Sequence, residues 1–354
     1  MVTAGPETPT LPERLVLGTR LPYVGGCLVL GYVFTVLLPQ VVVNAVDGGP
    51  VSDILNAAFS PDNVVNSLFI SYLFYAPRFM RLRLLKSEKS LSQLLPEGET
   101  DFHRLFGRVS AVRPQIIAWA LFTVLLFLEF DIVPRLLSAS SAAQFSGPST
   151  VLGQSVSVVL GTFGSFVTTL VLSSLAWVYY SVLRGIHRMG SASLNLSAFY
   201  RDPFLGLKPV GSLAFSVAMA YFGFEVFLIA AGIASPPTLV DYYTVGSLLV
   251  VLIVVGVVAF FLPLRKLHER MILQKASERA KLSERLDPLV GPSQSVQNPD
   301  ETALEVLKLE LMDRKVSSIA TWPFDFQILG KLTVVTLSVT AALITRFIAL
   351  FLKV

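Results

Sequence analysis

Seven apolar runs, at about residues 23–46, 64–80, 115–134, 155–182, 210–233, 242–262 and 326–352, limit what this chain can fold into. About 20 apolar residues match the hydrocarbon thickness of a bilayer, where backbone N–H and C=O groups must find their partners within the segment. A helix does this with its own i to i−4 bonds. The expected fold class is therefore all-α: a polytopic membrane helix bundle of about seven spans, with a cytosolic helical hairpin before the last. With 53% hydrophobic and 15% charged residues, the chain lies far from the soluble average of about 25% charged.

Basic residues orient the runs, because loops rich in Lys and Arg stay on the cytosolic side. Arg14 and Arg20 precede the first run, which places the N-terminus in the cytosol. Residues 1–20, with Pro6, Pro9 and Pro12 among threonines and glutamates, read as a disordered tail without the basic opening of a signal peptide. The run at 64–80 is the weakest, interrupted by Asn66, Ser67 and Pro77. Eight basic residues from Arg78 to Arg113 nevertheless demand a second crossing before them. That span is expected to start near Asn56 and to continue as a basic helix, Arg81 to Lys89, along the inner membrane surface. An outer loop over residues 138–150 has a flexible composition, and the small residues Gly161, Gly164, Ser165, Thr168 and Thr169 in the fourth run suit close helix contact.

Residues 21–264 thus form a six-span bundle, residues 265–325 a cytosolic hairpin and residues 326–354 a seventh span. Within the hairpin, residues 266–286 read as helix and residues 288–299 as a linker rich in Pro, Ser and Gln. A second helix opens at Asp300, with Leu304, Leu307 and Leu311 on one face. The first helix is basic and the second opens acidic, so the two are expected to pair antiparallel. The predicted location is the cell membrane, multi-pass, with an external C-terminus.

Charges inside the runs mark candidate functional positions, since an ionisable side chain at bilayer depth costs about 2.5–3.5 kcal/mol even on a lenient scale. Glu129 lies 16 residues after Arg113, Glu225 lies 17 after Lys208, and Arg346 lies 15 after Lys331. At about 1.5 Å per residue, all three fall roughly 22–26 Å above the inner surface. Arg346 is expected to be held by Glu225, Glu129 or both, in a polar cluster lining a ligand pocket or constriction. The bland alternative is an ion pair that only fixes helix register, or side chains that snorkel to the interface. Thr333, Thr336 and Thr340 add a hydroxyl stripe to the last run, with Thr336 and Thr340 as binding candidates; the bland alternative is that each bonds back to its own helix.

The pattern points away from enzymes. His103, His187 and His268 are scattered without metal-binding spacing, Cys27 stands alone, and Glu129 and Asp131 point to different helix faces. No catalytic residue, cofactor, metal or nucleic-acid partner is expected. The expected partners are the lipid bilayer and further copies of the chain, joined through the hairpin. The basic residues 78–89 suit anionic headgroups or simple solvation.

Trp322-Pro323-Phe324-Asp325, with the preceding helix and the closing run, resembles the C-terminal signature of uncharacterised prokaryotic multi-pass membrane proteins, over about the last fifth of the chain. A local reason is also available: Trp322 suits the membrane interface, Pro323 ends the hairpin and Asp325 can cap the last helix. Separately, the topology is similar to that of seven-transmembrane ligand-gated ion channels of the insect chemoreceptor type. That likeness is one of architecture. It implies a channel or membrane sensor with the last span central; a small-solute transporter and a scaffold recruiting a cytosolic partner are the alternatives.

Overall fold

The computed structural model describes residues 6–129, 150–234, 239–290 and 299–351; within these, the side chains of Glu129 and Arg346 are among those outside the description. Asp131, the expected outer loop up to residue 149 and most of the expected linker lie outside it as well.

The described residues are helical, without a strand, as the apolar runs require. In chain order the helices are α1 (Leu11–Gly18), α2 (Tyr23–Val46), α3 (Val51–Phe59), α4 (Pro61–Ser92), α5 (Glu99–Phe106), α6 (Val112–Glu129) and α7 (Val151–Met189). They continue with α8 (Lys208–Ala234), α9 (Leu239–Val290), α10 (Pro299–Ser317) and α11 (Phe326–Phe351). The middle of α2, Val33–Val42, widens to π-helix around Pro39, which has no N–H for a regular bond. Among the described residues four stretches are long and apolar enough to cross a membrane: Tyr23–Val46, Leu152–Met189, Lys208–Ala230 and Val250–Leu286. Val112–Leu125 and Phe326–Ala341 are shorter apolar helices. This is compatible with a membrane protein.

The weak run at 64–80 lies in the middle of the bundle. Helix α4 packs most extensively on α8 and α2, and also on α7. Its buried residues recur every three or four positions: Ser67, Ile70, Phe74, Pro77, Arg81 and Leu84. A helix surrounded by other helices needs less lipid-facing apolar surface. The helix starts at Pro61 rather than near Asn56, because Ser60 caps it through the Asn63 N–H, 3.3 Å away, and Pro61 suits its first turn.

The N-terminal tail is corrected. Residues 11–18 form α1, docked on α2, α4 and α7, with Val16 fully buried. Glu13, 1% exposed, receives two hydrogen bonds from Arg81: Nε to Oε1 at 2.9 Å and Nη2 to Oε2 at 2.5 Å. Arg81 Nη1 also donates to the carbonyls of Pro6 and Glu7, and the Thr10 hydroxyl donates to Glu13. Threonines and prolines alone would leave such a segment unfolded. A buried guanidinium that needs a carboxylate and two carbonyls holds it in place. Arg81 is accordingly a buried anchor and not part of a solvated basic face.

At the same end of the bundle as α1, α9 runs unbroken out of its apolar section and α10 returns along it. Arg279 faces Asp313 at 4.0 Å, Lys275 Nζ donates to the carbonyls of Ser317 and Ile319, and Leu282, Leu309 and Val316 are buried. The chain then enters Trp322-Pro323-Phe324-Asp325, which locks α8, α9 and α11 together. Trp322 lies flat on His268, ring centroids 4.0 Å apart, and Phe324 packs against Phe260 and Phe261. Asp325 accepts from the Ile328 N–H at 3.0 Å, capping α11, and pairs with Lys208 at the start of α8 at 3.2 Å. Gly211 makes this approach feasible: a Cβ there would lie 2.0 Å from the Pro323 carbonyl oxygen.

Candidate functional site

Tyr221, Glu225 and Ile229 stand at i, i+4 and i+8 on α8 and so share one face. The lower end of that face meets α7 and α9. The Tyr221 ring stacks on Tyr179 of α7 with centroids 5.3 Å apart, and its hydroxyl donates to the Leu252 carbonyl of α9 at 2.9 Å. Gly256 of α9 lets that ring in, since a Cβ would come within 2.6 Å of it. The upper end meets α11 and α9, where Ile229 is buried with Val339, and Val335, Leu252 and Ile253 pack around them. Glu225 is therefore enclosed between α7, α9 and α11, and it is 0% exposed.

Tyr221, one turn before Glu225, is an electrostatic neighbour of its carboxyl, but the Tyr221 hydroxyl proton goes to Leu252, and by hydrogen-bond geometry neither carboxyl oxygen has a partner among the described residues. The same holds for the buried hydroxyls of Tyr179, Ser174 and Thr336. Register places them close in level. With α7 antiparallel to α8, the Tyr179–Tyr221 stack puts Ser174 near the level of Glu225, but turned about 140° from Tyr179 around α7. The contacts Gly211 to Pro323 and Ile229 to Val339 set α11 parallel to α8, which puts residues 335–337 at the same level. The Glu225 carboxyl and the unpartnered Thr336 hydroxyl thus lie in one layer of the bundle, while Ser174 shares the level on another face of α7. Buried polar groups are normally paired, so a layer of unpaired ones marks a place where a further polar species belongs.

The remaining candidates fall differently. Thr333 donates to the Leu329 carbonyl at 3.0 Å and Thr340 to the Thr336 carbonyl at 2.8 Å, so both bond back to their own helix. Only Thr336 in the stripe keeps its hydroxyl uncommitted among the described residues. Arg346 lies on α11 about nine to eleven residues beyond the Glu225 level, or about 14–16 Å along the axis. The register thus does not bring Arg346 level with Glu225. The sequence ruler counted from Lys331, whereas the residue opposite Lys208 is Asp325, six positions earlier. Glu129 is the last residue of α6, a helix that packs on α7 through Trp119, whose Nε1 donates to the Phe166 carbonyl and to Thr169. The side chains of Glu129 and Arg346 lie outside the described residues.

Tyr179, Tyr221 and Ser174 were missed by sequence reading, because a tyrosine or serine in an apolar run carries no charge to flag it. The spacing of Tyr221 and Glu225, one turn apart, was the available signal. Near the start of α8, Arg83, Lys86, Ser87, Ser212 and Ser216 line an open groove of about 280 Å³ between α4 and α8, which is where part of the basic 78–89 segment points. No protein-family model, curated protein or solved structure matches the chain.

Proposed function

We propose that the protein is a non-enzymatic channel or sensor of the cell membrane in which Glu225 is the ion-binding group, a proton or small cation being its ligand. The observation that carries this reading is the enclosure of Glu225 with both oxygens unpartnered among the described residues. A bare buried carboxylate is too costly to keep, whereas a carboxyl that takes up and releases a cation is a working element of a membrane pathway. Thr336 supplies a neutral oxygen at the same level, and Tyr179 a phenolic one about a turn away. The cytosolic N-terminus and external C-terminus follow from the basic residues grouped on one side, as in α4 and α9.

The closed surroundings of Glu225 favour a second reading, a small-solute transporter with an occluded site. Reconstitution into liposomes separates the two: a channel gives single-channel conductance, and a transporter gives saturable uptake and counterflow without it. In either case Glu225→Gln, which keeps the shape and removes the charge, abolishes flux. Unchanged flux in that variant would sink the assignment of Glu225.

A further inference from the structure

Helix α10 has two apolar faces, and among the described residues one of them is packed. At about 100° per residue, Leu309 and Val316 lie together and are buried, facing α9. Leu304, Leu307 and Leu311 lie roughly opposite, within an arc of about 60°. They are 54%, 53% and 53% exposed. Lipid does not reach them. With the apolar section of α9 ending at Arg265, the Arg279–Asp313 pair puts Leu311 beside residues 281–282, about 25 Å further along the helix. At a tilt of about 40° that is still about 19 Å, well beyond the headgroup layer.

The flanking charges identify the occupant. Leu304, Leu307 and Leu311 fit the a, d and a positions of a heptad, which makes Glu310 a g position and Lys315 the following e position. Arg314, at the next d position, ends the apolar seam and pairs with Glu310 of its own helix at 3.0 Å, a contact that docking would have to exchange for Lys315 of the other copy. In a parallel pair of identical helices, g contacts e′ five residues on, so Glu310 of each copy meets Lys315 of the other. An antiparallel pair would lack that match. Copies of a membrane protein inserted with one topology are related by an axis along the membrane normal, which makes equivalent helices parallel. Charge pattern and membrane geometry point to the same arrangement.

We propose that α10 docks on α10 of a second copy of this chain, as a short parallel coiled coil with Leu304, Leu307 and Leu311 at its seam. This is independent of the chemistry at Glu225. The test uses the full chain in liposomes at low protein density with oxidative cross-linking, since native Cys27 is buried and is the chain's single cysteine. Leu304→Cys and Leu311→Cys are expected to link chain to chain at least fivefold more than Glu305→Cys, an exposed position on the side of the helix. Glu310→Lys added to Leu311→Cys should cut the yield severalfold, and Lys315→Glu added to that should restore it. Equal yields at 305 and 311, no linkage at 304 and 311, linkage only in mixtures of the 304 and 311 variants, or no rescue by the charge swap would each overturn the proposal. Circular dichroism of every variant separates lost docking from lost folding.

Discussion

Glu13 and Arg81, 68 positions apart, meet as a two-pronged carboxylate–guanidinium pair with almost no solvent contact. The geometry is the strongest available to such a pair, and its burial makes it sensitive to losing either partner. Arg81→Met is expected to destabilise the protein by about 3–5 kcal/mol, because Glu13 is then buried without its cation. The double variant Glu13→Leu/Arg81→Met should recover most of that loss. Thermal unfolding in detergent checks the size, and proteolysis of residues 6–18 shows whether α1 has let go.

Glu225 should respond in the opposite sense. Glu225→Leu removes two unpartnered buried oxygens, each of which costs about 1–3 kcal/mol, and is expected to raise the melting temperature while flux is lost. A lower melting temperature would show that the carboxyl is engaged by a structural partner.

Asp325 gives a pH dependence. The Ile328 backbone N–H and, after it, the Lys208 ammonium hold its carboxyl below the ordinary aspartate range. A folded value below the unfolded one, about 3.9, means that the unfolded chain binds more protons in the interval between them. Stability from this group is fully present above about pH 4 and declines as pH falls through the folded value. Asp325→Asn should flatten that part of the stability profile, measured by thermal unfolding from pH 6 down to pH 2.

Gly211→Ala tests the lock between α8 and the Trp322-Pro323-Phe324-Asp325 turn. The added methyl meets backbone, which cannot rotate away, so a loss of about 1–3 kcal/mol is expected. Tryptophan fluorescence should report a disturbed Trp322, while Gly161→Ala, where a Cβ meets nothing within 4 Å, should leave both signals unchanged.

What was legible in the sequence follows from what each signal measures. Run length and continuity identify helices, so the all-α class was readable, and Glu225 stood out because a charge in an apolar run is conspicuous. The antiparallel pairing of α9 and α10 was readable from complementary charge. The anchoring of α1 was not, because Glu13 in a polar segment and Arg81 in a basic one both look solvated until the fold brings them together. The level of Arg346 was misread for a similar reason: counting residues from the nearest basic side chain assumes every helix starts at the same height. The Lys208–Asp325 pair shows that α11 starts lower than the lysine from which its height was counted. His268, noted in the sequence only for lacking metal-binding spacing, is the platform on which Trp322 lies.

Helix α9 carries a mechanical consequence. Its 52 residues make a rod about 78 Å long that touches the Glu225 layer near Gly256 and ends at Val290, well past its apolar section. From Gly256 to that end is about 51 Å, so a tilt of about 5° at the layer becomes a sweep of about 4–5 Å at the tip. A change as small as a cation arriving beside Glu225 would be magnified along this lever into a displacement that a neighbouring molecule can feel.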